Sequence, residues 1–130
     1  MARSQRKGRP GASSAKRSRL KEAVVLIPLT YNDETKIPLE LLESILDQVY
    51  RAFDGHTIEG TVKGTYRMQS GQKRAEDLIK VSIVLNENRV PELERMIAAW
   101  AAQLGQETML LRITDSAVKF VGPQLPEQQT

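Results

Sequence analysis

A chain of 130 residues with 19 Lys and Arg, 16 Asp and Glu, one His and no Cys has room for one ordinary domain. The missing cysteine excludes a disulfide framework, a thiolate metal site and a cysteine nucleophile, and the single histidine, His56, excludes a multi-histidine metal centre within one copy. The net charge of +3 is unevenly divided. Residues 1–21 carry Arg3, Arg6, Lys7, Arg9, Lys16, Arg17, Arg19 and Lys21 and no acid, while residues 22–130 carry 11 basic and 16 acidic side chains.

In chain order, residues 1–21 offer too little apolar surface to offset their conformational entropy, so the sequence predicts a disordered basic arm. Residues 23–29 are apolar on both faces, the pattern of a strand inside a sheet, with Pro28 weakening the ladder near its end. That run is far short of the ~20 residues a membrane-spanning helix needs, and no signal-peptide pattern accompanies it; a cytoplasmic protein is expected. Residues 31–36 read as a polar loop, and Pro38 suits the first turn of a helix. Leu42, Ile45, Leu46, Val49 and Phe53 recur at spacings of three and four, which gives a helix with one apolar face, closed by Asp54-Gly55.

Residues 57–68 alternate almost without a break. The alternation turns Ile58, Gly60, Val62, Gly64, Tyr66 and Met68 to one face, toward the helices, and Thr57, Glu59, Thr61, Lys63, Thr65 and Arg67 to the other. Gln69-Ser70-Gly71-Gln72 reads as a hairpin turn. The return strand spans 78–85, with Ile79, Val81, Ile83 and Leu85 inward. A second helix starts near Asn88 with Pro91 in its first turn, carries the stripe Leu93, Ile97, Trp100 and Leu104, and stops at Gly105. A last strand covers 107–114, a short extension follows at 118–121, and residues 122–130 read as a disordered tail. The order β-α-β-β-α-β within residues 22–121 is that of a ferredoxin-like α+β sandwich, a four-stranded antiparallel sheet with two helices on one face.

Chemistry is harder to find. There is no P-loop, no G-x-G-x-x-G and no calcium-loop spacing, so neither a cofactor nor a metal is expected. Asp33-Glu34 and Glu76-Asp77 read as solvated loop pairs. His56 and Glu59 are three residues apart on a strand, point to opposite faces and stand ~10 Å apart, which argues against an acid–base dyad. His56, Glu59, Tyr66 and Glu107 are the catalytic candidates that remain. Tyr66 and Trp100 are assigned to the core. The uncovered face is lined by Thr57, Glu59, Thr61, Lys63, Thr65 and Arg67, joined by Lys80 and Ser82 and with Arg112 as a further candidate. It reads either as a solvated polar face or as a surface for a partner, a homodimer interface or a ligand groove. It lacks the aromatic row on which an RNA-binding sheet stacks bases. The basic arm suits nucleic acid or another polyanion through phosphate neutralisation, with an anionic membrane as a second target.

Three short stretches, Phe53-Asp54-Gly55-His56-Thr57, Gly64-Thr65-Tyr66 and Leu104-Gly105-Gln106-Glu107, resemble an uncharacterised family of small bacterial ferredoxin-like proteins. In that family an F-x-D-G-x-T turn leads into a G-x-W strand and a later G-Q-E. The resemblance spans roughly residues 24–113 and implies the same fold; this chain has Tyr66 where the family has tryptophan and lacks its lipid-anchored N-terminal cysteine. Together these features predict a non-enzymatic binding or regulatory module. The alternative is a small dimeric α+β barrel-type enzyme, or a small-molecule sensor, with a pocket between sheet and helices.

Overall fold

The computed structural model describes residues 19–115 and 117–124. Its elements are β1 (Leu20–Pro28), α1 (Leu39–Phe53), β2 (Thr57–Arg67), β3 (Lys73–Asn86), a single 3-10 turn (Glu87–Arg89), α2 (Val90–Gln103) and β4 (Leu111–Thr114). The strands form one antiparallel sheet in the order β2-β3-β1-β4, so the first and third strands lie inside it. This is an α+β fold of the expected architecture. No helix among the described residues is long and apolar enough to cross a membrane.

Helix α1 forms because Leu42, Ile45, Val49 and Phe53 fall on one stripe and are all buried. The Pro38 carbonyl accepts from the Leu41 and Leu42 amides at the first turn. At the other end Asp54, rather than the glycine after it, takes the left-handed conformation, with φ 68°. Helix α2 buries Leu93, Ile97 and Trp100 on the same face of the sheet, against Ala23, Val25 and Ile27 of β1 and Val81, Ile83 and Leu85 of β3. The indole N–H of Trp100 donates to Oε1 of Gln48 at 2.8 Å, so the largest core side chain also ties α2 to α1. Each buried Leu, Ile or Val in this layer contributes about 1.5–3 kcal/mol of transfer free energy, far more than any exposed ion pair. The layer between sheet and helices is therefore a packed core.

The structure departs from the sequence reading in β2. Ile58 pairs with Val81 and Gly60 with Lys80, so Glu59 is an extra residue, a β-bulge, and Gly60 carries it at φ 118°. One inserted residue exchanges the two faces for everything after it. Thr57 and Glu59 are on the uncovered face as expected, but Thr61, Lys63, Thr65 and Arg67 pair across from Ile79, Asp77, Ala75 and Lys73 on the helix side. Val62, Gly64 and Tyr66 pair with Leu78, Glu76 and Arg74 on the uncovered face, not toward the helices. The interface expected from six alternating residues thus loses four of them. A Cβ on residue 60 would meet nothing within 4 Å, so replacing Gly60 by alanine tests the backbone alone. We expect a loss of about 1–3 kcal/mol in urea unfolding; an unchanged midpoint would mean the bulge relaxes without cost.

Three boundaries also move. Strand β1 begins at Leu20, so Leu20 and Lys21, read as part of the arm, belong to the sheet, where Lys21 pairs with Asp115 and Arg19 with Glu87. Strand β3 begins at Lys73 rather than 78, which puts Glu76-Asp77 inside a strand instead of a loop. Strand β4 is only four residues, because residues 107–110 run as a connecting segment.

Candidate functional site

The long β2–β3 hairpin and the segment 106–111 stand on either side of the end of β1. Between them, on the face that the helices leave uncovered, lies a cleft of about 500 Å³. Leu26, Pro28, Leu78 and Leu110 give it apolar walls, and Tyr66, Glu76 and Gln106 give it polar ones. Gly64 is opposite Glu76 in the sheet, and a Cβ there would come within 2.9 Å of the Leu78 side chain; the glycine keeps this part of the cleft open. Chain elements meet here because hydrogen bonds between side chains and backbone tie them together. The Gln69 amide at the hairpin tip donates to Glu107 Oε1 at 3.1 Å, and Nδ2 of Asn32 donates to the Gly105 carbonyl at 3.0 Å.

Arg74 is the hub of that arrangement. Its Nη1 donates to the Asn32 carbonyl at 3.0 Å, and its Nη2 to the Tyr31 carbonyl at 2.8 Å, to Thr30 Oγ1 at 3.2 Å and to Glu76 Oε1 at 3.4 Å. The side chains of Arg74 and Glu76 are only 7 % and 4 % exposed. Two residues apart on a strand, they share a face, and a charge pair this buried persists because each ion satisfies the other. Nε of Arg74 and Oδ1 of Asn32 are buried without a partner among the described residues. Arg74 takes up one oxygen of Glu76, which leaves the carboxylate able to accept from another donor.

Tyr66, across from Arg74, supplies the hydroxyl. Burial first, and then the charge and hydrogen bond of Glu76, hold its phenol above the ordinary value of 10.0. The raised value favours the neutral phenol in the folded state. Its contribution to stability is complete below pH 10 and disappears as pH rises through the higher folded value. Ultraviolet titration of the wild type against Tyr66→Phe should show one phenol ionising later than a free tyrosine. If the difference curve has an ordinary midpoint, Tyr66 is in solvent and not beside Glu76.

The candidates taken from the sequence are scattered. Tyr66 lines the cleft; Glu107 is bound to the hairpin tip beside it. Glu59 ion-pairs with Lys80 at 3.3 Å farther along the sheet, and hydrogen bonds from Ser82 and Lys80 hold its carboxyl below the usual range. His56 lies in a separate hollow with Thr57, Ser82 and Asn86, its Nδ1 buried without a partner. Tyr66 is thus not in the core between sheet and helices, whereas Trp100 is. Arg74 and Glu76 were missed. The signal for them was the period of two running back from Ser82 through Lys80 and Leu78, and Gly60 was the signal for the bulge. Of the arm, Arg3, Arg6, Lys7, Arg9, Lys16 and Arg17 lie outside the described residues. Among the described residues no group of three or more His, Asp and Glu is placed to hold a metal ion.

Among solved structures, a phage SAM lyase in complex with S-methyl-5'-thioadenosine shares this fold, with a TM-score of 0.58 and 14 % identity over 75 % of this chain and 81 % of that one. At that identity the likeness shows the fold. No family model matches the sequence, and neither does any curated protein. The expectation of a non-enzymatic binding or regulatory module is overturned by this neighbour, an enzyme holding a small molecule, which favours the enzyme alternative. The cleft that such a reading needs is not between sheet and helices, where the core is filled, but on the sheet's other face.

Proposed function

We propose that this chain is an enzyme acting on a nucleoside-type sulfonium compound of the S-adenosylmethionine class, bound in the cleft beside Tyr66 and Glu76. The observation that carries the reading is Glu76, held by the buried Arg74, beside Tyr66 in the wall of a cleft of about 500 Å³ with apolar flanks. Convergent polar groups in a mostly apolar hollow of this size are the usual make-up of a small-molecule site. The thioadenosine held by the structural neighbour supports the ligand class.

The roles follow from the chemistry of each group. Leu26, Pro28, Leu78 and Leu110 suit the faces of a purine base. A carboxylate such as Glu76 accepts hydrogen bonds from ribose hydroxyls, as acidic residues do in nucleotide sites. Cleavage of a sulfonium–carbon bond returns the bonding pair to sulfur and releases a neutral thioether. In the same step the carboxylate of the departing chain closes on the carbon that sulfur leaves, giving a lactone with no proton gained or lost. A neutral thioether needs no proton to depart, so Tyr66 acts by position and not as a general acid. What the protein supplies is orientation of the nucleoside and exclusion of water, which are large rate factors when the reacting chain is held in one geometry.

The test uses the full-length protein. Incubation with S-adenosylmethionine should yield S-methyl-5'-thioadenosine in proportion to enzyme, followed by chromatography, and calorimetry should detect binding of that thioether. Absence of both turnover and binding would overturn the reading.

A further inference from the structure

The uncovered face of the sheet continues past the cleft into a band of charge. Leu78 and Leu110 line the cleft, and two residues beyond each of them, on the same face, stand Lys80 of β3 and Arg112 of β4. The floor between them is β1: Leu26 is the partner of Lys80, and Val24 is the partner of both Ser82 and Arg112. Glu59 reaches onto this band from the bulge, with its carboxylate 3.3 Å from the Lys80 ammonium. The field of Arg112 also acts on Glu59. Arg112 is exposed and makes no ion pair among the described residues. The band therefore holds two cations and one anion side by side, in line with the cleft, with Glu22 on the same face of β1 beyond Val24.

We propose that this band is the seat for the zwitterionic α-amino-acid end of the ligand whose nucleoside end occupies the cleft. The carboxylate lies between Lys80 and Arg112, and the ammonium at Glu59. The inference rests on the nucleoside reading of the cleft. Four residues of strand separate Glu76 from Lys80, about 14 Å at ~3.4 Å per residue. A nucleoside carrying a short amino-acid chain bridges such a span when its ribose hydroxyls are at Glu76. A planar guanidinium suits a carboxylate better than a lone ammonium does, because it donates two parallel hydrogen bonds. The other pair of opposite charges on this face, Arg74 and Glu76, is buried and spent on itself, so a nucleoside without an amino-acid end fits only half of this surface.

The bulge explains how the arrangement arises. Without the extra residue, Glu59 and Gly60 would not both lie beside Lys80, and the row of Val62, Gly64 and Tyr66 would face the helices. One insertion thus builds the cleft wall and brings the acidic member of the band onto the same face.

Two probes separate the parts: S-methyl-5'-thioadenosine, which has no amino-acid end, and S-adenosylhomocysteine, which has one and carries an unreactive thioether. Calorimetry of wild type, Arg112→Met and Glu59→Gln, at low and at high salt, should show each substitution weakening the homocysteine compound about fivefold, the upper range for a partly exposed ion pair. Affinity for the methylthio compound should stay within twofold. Binding of both probes with no differential loss in either variant would overturn the amino-acid seat and leave the nucleoside reading standing. Binding of neither probe to the wild type would overturn both.

Discussion

Exchanging Arg74 for methionine lowers the free energy of unfolding by about 3–5 kcal/mol, measured by urea denaturation, because it leaves the Glu76 carboxyl buried without its partner. The same change frees the carbonyls of Tyr31 and Asn32 and the hydroxyl of Thr30, all of which Arg74 now satisfies. Each such group left dry costs about 1–3 kcal/mol, although water reaching the loop recovers part of this. The companion experiment replaces both charges, Arg74→Met with Glu76→Met. That double variant should be more stable than the single one, since an apolar pair of similar volume replaces an ion pair without leaving a bare charge. A single variant within about 1 kcal/mol of wild type would show that water already solvates the pair.

The second large effect is on binding. Glu76→Gln keeps the shape of the side chain and an oxygen for Arg74, but removes the negative charge. Affinity for S-methyl-5'-thioadenosine should fall about 10–100-fold, the value of a hydrogen bond accepted by a charged group, with a smaller loss of stability than in Arg74→Met. Tyr66→Phe should bind more tightly than Glu76→Gln, because it removes a neutral hydroxyl and leaves the carboxylate in place. Equal affinity in wild type and Glu76→Gln would move the ligand away from this wall of the cleft.

These two residues were hidden in the sequence for a local reason. Glu76 stands next to Asp77, and Arg74 next to Lys73 and within four residues of Gly71, so the stretch has the composition of a turn. It is nonetheless strand, because β2 continues opposite it and its backbone groups find partners as far as Arg67↔Lys73. Composition favours a loop here, and cross-strand pairing decides otherwise. Tyr66 was placed on the wrong face by strict alternation. A period of two is reliable only while the ladder is regular, and the positive φ of Gly60 is where regularity stops.

Other features were legible because they depend on short-range physics. The stripes Leu42-Ile45-Val49-Phe53 and Leu93-Ile97-Trp100-Leu104 are helical spacings that remain valid wherever the helices dock. The doubly apolar β1 had to be an inner strand, and right-handed crossovers then left few ways to order the sheet. Those elements, their order and the side on which the helices pack were determined by the sequence itself, through apolar periodicity and the residues that stop helices.

The site was decided by tertiary structure alone. Arg74 acts on residues more than 40 positions earlier in the chain, and Gln69 meets Glu107 38 residues later. No periodicity encodes such meetings. They arise when the sheet brings the hairpin, the loop after β1 and the segment before β4 to one end of the molecule. There the exclusion of water turns ordinary charged residues into a fixed pair.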